Sequence, residues 1–321
     1  MRNIFKRSYV RCLVGACLVL SAGSLFADDV KPFVDVNRIS FTGATATYIG
    51  SELVLTYLYS ESPGTLKIDS GLKAEVEILA VGGGGAGGTI KADTNLGGGG
   101  GGAGGLILLE DAEKVALAGG DYTIKVGAGG AAAENNDAST AGANGGDTTI
   151  STANGALYTA LGGGGGGAES AGQDGGSGGG GTKNQEPGVA IGSEFGNIGS
   201  SGGEIGDGTN KNGAGGGGAA SPGGKGVNAG GVGGSGLSSD ISGTEVYYAG
   251  GGRGGKLVSG TGKAGGSDIG GSAGTGSENG GDGAANTGSG GGGGGKGTLG
   301  GAGANGIVII RILQAYESSE Y

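Results

Sequence analysis

The residues that could do chemistry in this chain are mostly carboxylates and tyrosines. Asp147, Asp174, Asp207, Asp268 and Asp282 lie beside or within two residues of glycines, and oxygen-rich turns suit a hard cation such as calcium. The G-G-x-G-x-D repeat of calcium rolls is absent, so Asx turns are the adopted reading and calcium the alternative. No other cofactor is expected. Tyr57, Tyr59, Tyr247 and Tyr248 could form a sugar-binding aromatic face, with Tyr247 and Tyr248 the candidate ligand-facing pair; strand tyrosines also serve as core or rim residues. Gly250–Lys256 and Gly290–Lys296 fit the first seven positions of a phosphate loop. The hydroxyl that should follow is replaced by Leu257 and Gly297, so nucleotide binding is not expected. Arg253-Gly254-Gly255 resembles one unit of an RNA-binding segment, but a solvated loop is the simpler reading. The chain has no His, and its two cysteines are Cys12 and Cys17. An enzyme is therefore not expected, although a carboxylate-pair hydrolase is the third reading after a structural and a binding role.

These groups sit on a chain that begins with an export pattern. Arg2, Lys6, Arg7 and Arg11 precede the apolar run Cys12–Leu20, and Leu25-Phe26-Ala27 offers a small residue for cleavage. Residues 1–27 are read as a signal peptide, too short in its apolar run to span a bilayer. This segment holds four basic and no acidic residues, so its removal takes the formal charge from −10 to −14. Such an acidic surface argues against nucleic acid and anionic membranes as partners. The expected location is extracellular or at the cell surface, with the periplasm as the alternative. No membrane insertion is expected after cleavage.

Residues 28–81 read as β-rich. Thr45–Ile49, Glu52–Tyr59, Thr65–Ile68 and Ala74–Val81 carry strand residues, separated by turn signals at Gly50-Ser51, Ser62-Pro63-Gly64 and Ser70-Gly71. Leu109–Leu117 is the one stretch that suggests a helical turn. Residues 82–306 alternate glycine tracts with β islands at Leu106–Leu109, Tyr122–Val126, Asp147–Ser151, Ala156–Ala160 and Glu245–Tyr248. In residues 307–321, the apolar run Ile307–Leu313 should pair with strands of 28–81, so that both ends form one sheet system.

Of the 92 glycines, 6 precede Gly82 and none follow Gly306, leaving 86 in the 225 residues between. Gly97–Gly102, Gly162–Gly167 and Gly290–Gly295 are pure glycine. Ordering each costs about 1–2 kcal/mol of backbone entropy, and glycine has no side chain to bury in return. Main-chain hydrogen bonds and close packing must supply the compensation. A polyglycine II helix offers both, because it has three residues per turn, makes no internal hydrogen bonds and points every polar group at a neighbour. A packed bundle of such helices is the expectation, with Gly99, Gly164 and Gly293 inside it. Ala86, Ala103 and Ala168 are placed at its outer surface. Ile307 and Ile309 are the structural residues of the last strand.

Four passages then bring a family into view. Val76–Val81 followed by Gly82–Gly85 resembles the leading strand of the bacterial and phage glycine-rich domain. Gly120–Gly130 resembles its GxYTVTVGAGG segment, and Leu237–Thr244 continuing to Tyr248–Gly252 is similar to an SSITGTxxxYAGGGG passage. Asn286-Thr287-Gly288 and Gly306–Arg311 resemble its NTGGGG…GIVIIRY ending. The resemblance implies an extracellular, non-enzymatic module; related folds occur in phage tail-tip adhesins and in the extracellular region of anaplastic lymphoma kinase. Unlike the phage proteins, this chain reads as having a signal peptide and no recognisable tail-attachment module, so phage adhesion is not carried over to it.

The expected fold is mainly β: a small sheet or sandwich closed by terminal strands, with a polyglycine bundle and almost no α-helix beyond the signal peptide. The expected function is a secreted structural or adhesive protein whose working parts are loops such as Thr182–Ile198 and Ser238–Tyr248. The alternative is a lectin-like or receptor-binding module. An extracellular ligand, self-association and filament formation are the partner expectations.

Overall fold

The computed structural model describes residues 38–182, 185–192, 202–203, 211–227, 229–257 and 263–317. The segment read as a signal peptide lies outside these. The described chain is mainly β, with one large antiparallel sheet and one two-stranded sheet. Its large sheet has nine strands, more than the small sheet anticipated. Strands β1 (Ile39–Thr42), β2 (Ala44–Ile49), β3 (Glu52–Leu58) and β4 (Gly64–Val81) come first. Then follow β5 (Leu106–Leu109), β6 (Val115–Lys125), β7 (Thr148–Thr152) and β8 (Gly155–Ala160). The hairpin of β9 (Leu237–Ser239) and β10 (Val246–Tyr248) forms the second sheet, and β11 (Ile307–Glu317) ends the series. Among the described residues there is no α-helix, only 3-10 turns at Asp111–Glu113 and Gly266–Asp268.

The spine is β4, a single strand of 18 residues. The turn expected at Ser70-Gly71 does not break it. Alternation of polar and apolar residues resumes at Leu72, and the mismatch is absorbed by a register shift between Ile68 and Lys73. Gly71 takes φ +86° there, a conformation open to glycine. Along one flank β4 pairs with β1 and β11, and along the other with β5 and β6. β11 lies between β3 and β4, opposing Ile309 to Thr56 on one side and to Leu79 on the other.

Alternation assigns the faces. Leu66, Ile68, Leu72, Ala74, Val76, Ile78 and Ala80 of β4 enter one core with Val308, Ile310 and Ile312 of β11. Leu79, Val81, Ile307 and Ile309 enter a second core on the opposite face. That second core is shared with Ala103 and Ala219 of the glycine region and with Ile241 and Tyr248 of the hairpin. Burial on both faces explains why these strand ends are continuous apolar runs rather than alternating ones. On the face of β11 that carries Ile307 and Ile309, Arg311 bonds Glu52 through Nε at 2.6 Å and lies 3.8 Å from a Glu77 oxygen.

The glycine region is ordered by its backbone. Within residues 97–105, successive N–H groups donate in rotation to three neighbours. Gly99, Gly102 and Gly105 bond Gly167, Gly164 and Leu161 at 2.8–2.9 Å. Gly98, Gly101 and Gly104 bond Gly294, Gly291 and Gly288, while Gly97, Gly100 and Ala103 bond Lys211, Ala214 and Gly217. Three further tracts donate back to it, through Gly85, Gly180 and Gly252 among others. One tract therefore has six neighbours, and its donor direction repeats every third residue. This is the period of a polyglycine II helix, with no bond inside the tract.

Candidate functional site

The bundle fixes what its glycines can do. A Cβ on Gly99 would lie 1.9 Å from the Gly180 carbonyl oxygen, on Gly164 1.9 Å from that of Gln173, and on Gly293 2.1 Å from that of Gly98. All three positions are interior, and the obstructing atoms are backbone. Ala86 and Ala103 are also fully buried, and Ala168 is 5% exposed, so the expected outer placement is wrong for all three. For Ala103 the reason is clear: its methyl faces the second core, at the junction of bundle and sheet.

The phosphate-loop likenesses dissolve in the same network. The amides of Gly252 and Gly255 already donate to Gly101 and Gly98, so they are not turned toward an anion. Arg253 is half-buried rather than solvated, and burial pulls its guanidinium below its ordinary pKa.

The aspartates beside glycine act over longer range than Asx turns. Asp147 Oδ1 accepts the Gly162 N–H, Asp174 Oδ1 that of Val189, and Asp282 Oδ1 that of Ala302, each at 2.8 Å. Asn144 and Asn279 do the same for Gly165 and Leu299. Asn144–Asp147 and Asn279–Asp282 are each three residues apart, one turn of the polyglycine helix, so each pair presents two side-chain oxygens, one amide and one carboxylate, on one face. These side chains take the place of a neighbouring tract at the bundle's margin. Asp268 instead sits in the 3-10 turn at φ +58°, and Asp207 lies outside the described residues. Among the described residues no three acidic side chains are placed to hold a metal ion.

Of the two loops expected to present a ligand face, Thr182–Ile198 is only partly described. Its residues 188–191 belong to the bundle, with Gly188 and Ile191 donating to Gly179 and Gly175. The other, Ser238–Tyr248, is the β9–β10 hairpin. Its register pairs Ser239 with Val246, Ser238 with Tyr247 and Leu237 with Tyr248. Tyr248 therefore turns inward, is 3% exposed and packs in the second core, whereas Tyr247 on the opposite face is 46% exposed. The pair is not a common ligand face. Tyr57 is likewise buried, with its hydroxyl donating to the Thr65 carbonyl at 3.0 Å, and Tyr59 is exposed.

Beside the hairpin opens a pocket of about 300 Å³ lined by Glu110, Ser238, Ser239, Asp240 and Glu245. Glu110 directly follows β5, and the other four residues belong to the hairpin. Ser239 Oγ donates to the Glu110 carboxylate and accepts the Ile241 N–H at 3.1 Å. Ile241, 1% exposed, anchors the hairpin turn in the second core, and Gly243 closes that turn on the Asp240 carbonyl at 2.7 Å. Desolvation raises the pKa of Glu110, and the charges of Glu77, Asp240 and Asp111 add to this, against the Ser239 hydrogen bond that lowers it. The pocket is rich in acceptors and negatively charged. It suits hydroxyl groups or cations and disfavours anions.

A profile of the glycine-rich domain matches residues 60–313, from the lead into β4 to the middle of β11. The chain belongs to the glycine-rich domain family. A search of curated proteins found no match. The matched span of this glycine-rich domain includes every tract of the bundle, the hairpin and the pocket, but not β1, β2 or β3. Sequence reading missed Glu110, Ser239, Asp240 and Glu245 as one group, because their spacing carries no signal. The three-residue Asn–Asp spacing inside glycine tracts was a signal, one that only the polyglycine period makes readable.

Proposed function

We propose that this glycine-rich domain is an exported, non-enzymatic structural or adhesive protein of the cell surface or extracellular space, a rigid scaffold that presents the β9–β10 hairpin outward. The observation that carries this reading is the tract 97–105, which is hydrogen-bonded to six neighbours and whose glycines are crowded by the carbonyls of those neighbours. A scaffold of this kind tolerates variation in the hairpin it carries. Export rests on the basic and apolar pattern of residues 1–27. The test is expression of the full chain in a bacterial host, followed by fractionation and N-terminal sequencing. A mature chain starting at Asp28 outside the cytoplasm supports the reading; an uncleaved cytoplasmic chain overturns it. Sedimentation of the purified mature chain tests the further expectation of self-association or filaments.

A second reading is a glycan- or receptor-binding module. It is favoured by the exposed Tyr247, whose cross-strand partner Ser238 lines an acceptor-rich pocket. Carboxylates and hydroxyls accept hydrogen bonds from sugar hydroxyls, and an exposed ring gives a stacking surface. Binding on a glycan array that is lost in Tyr247→Ala supports it, and an unchanged profile removes it. Calcium enters as a question for the same pocket, answered by whether the cation changes thermal stability.

A further inference from the structure

The chain contains five Asn-Gly dipeptides, at Asn144, Asn154, Asn212, Asn279 and Asn305. Asn-Gly is the dipeptide most prone to spontaneous deamidation, because glycine offers no side chain to hinder attack by its amide nitrogen. Four of the five are held at both reacting groups. The side-chain oxygens of Asn144, Asn212, Asn279 and Asn305 accept the amides of Gly165, Leu257, Leu299 and Gly129 at 2.8–3.1 Å. The attacking nitrogens are also engaged: Gly145, Gly213, Gly280 and Gly306 donate to Gly163, Gly255, Leu299 and Gly127 at 2.8–2.9 Å. Reaction at any of them requires two hydrogen bonds of the bundle to break first.

Asn154 stands apart. It occupies the turn joining β7 to β8, where both Asn154 and Gly155 are exposed. Its backbone N–H meets Thr152 Oγ1 at 3.2 Å, while its side chain makes no hydrogen bond to the described residues. Nothing lies within 4 Å of where a Gly155 side chain would be.

We infer that Asn154 is the site of spontaneous covalent modification in the folded protein and that the bundle protects the other four. The Gly155 nitrogen adds to the Asn154 side-chain carbonyl carbon, ammonia leaves, and a cyclic succinimide forms. One water then opens the ring to aspartate or isoaspartate, so the net change is uptake of water and loss of ammonia, with no oxidant or reductant. The product adds a negative charge at the β8 edge of the large sheet.

The test is incubation of the folded, full-length chain at mildly alkaline pH, with peptide mapping by mass spectrometry over time. The same chain in denaturant gives the intrinsic rate at each Asn. Gly155 is paired with Thr152 in the β7–β8 ladder, so each of the other four must break one more hydrogen bond, at the side chain. Normalised to those rates, Asn154 should react about 5-fold faster than each of them. Asn154→Gln should abolish the early acidic shift on ion exchange. Equal normalised rates at Asn154 and at any one of the other four overturn the inference, as does an acidic shift that survives the substitution.

Discussion

Gly102 donates its amide to the carbonyl of Gly164 at 2.8 Å, and the space beside Gly164 is closed by the Gln173 carbonyl oxygen, 1.9 Å from any added Cβ. The same residue thus accepts a bond from one tract and forbids a side chain toward another. Neither obstacle is a movable side chain.

Gly164→Ala should therefore cost more than about 4 kcal/mol, the range reserved for severe core damage. Gly50→Ala gives the contrast: Gly50 has φ +62° but open space around it, so only the backbone penalty of about 1–2 kcal/mol applies. Urea unfolding of the two variants separates them. Similar midpoints would show that close tract packing does not hold the domain together.

Amide exchange should report the bundle as one unit. Residues 97–105 and 162–167 bond each other and shared neighbours, so their exchange should be slow and should accelerate together in denaturant. Random-coil exchange in either tract would contradict the hydrogen-bond pattern.

Asp147 supplies the acceptor for Gly162. Asp147→Ala leaves that amide without its partner and should cost about 1–3 kcal/mol. Asp147→Asn keeps an oxygen in place and should recover most of the loss. Thermal denaturation of the two variants would decide whether the margin is held by the side-chain oxygen or only by its bulk.

The Glu110 carboxyl has its pKa raised in the folded chain, chiefly by desolvation. Folding then favours its protonated form, so the native state binds more protons than the unfolded chain just above the ordinary carboxylate range. Stability contributed by this group falls as pH rises through that window and is regained below it. Glu110→Gln should be more stable than the parent at neutral pH, and the gap should close in acid. The carboxyl is only partly buried, so the effect is small. A gap that widens in acid would reverse the sign of the assignment.

Much of this architecture could be read from residue order because its determinants are local. The alternation of Val76 and Ile78 against Glu75 and Glu77 set the faces of β4, and the run Ile307–Ile310 marked a strand buried on both sides. The period-three bundle followed from what glycine lacks. What escaped depended on partners far along the chain. The three residues of β9 are too few to carry a pattern, and the register of the hairpin alone separates Tyr247 from Tyr248. Whether Asp147 serves a local turn or a distant amide depends on Gly162 being brought beside it, which no neighbouring residue encodes.

The rotation of donors along residues 97–105 imposes a rule resembling a reading frame. Removing one residue from the middle of that tract turns everything beyond it by a third of a revolution, so each amide faces the wrong neighbour. Removing three advances the tract by a whole turn and returns each amide to its own. Length variation inside the bundle should thus be tolerated in steps of three, while single insertions belong in the turns between tracts.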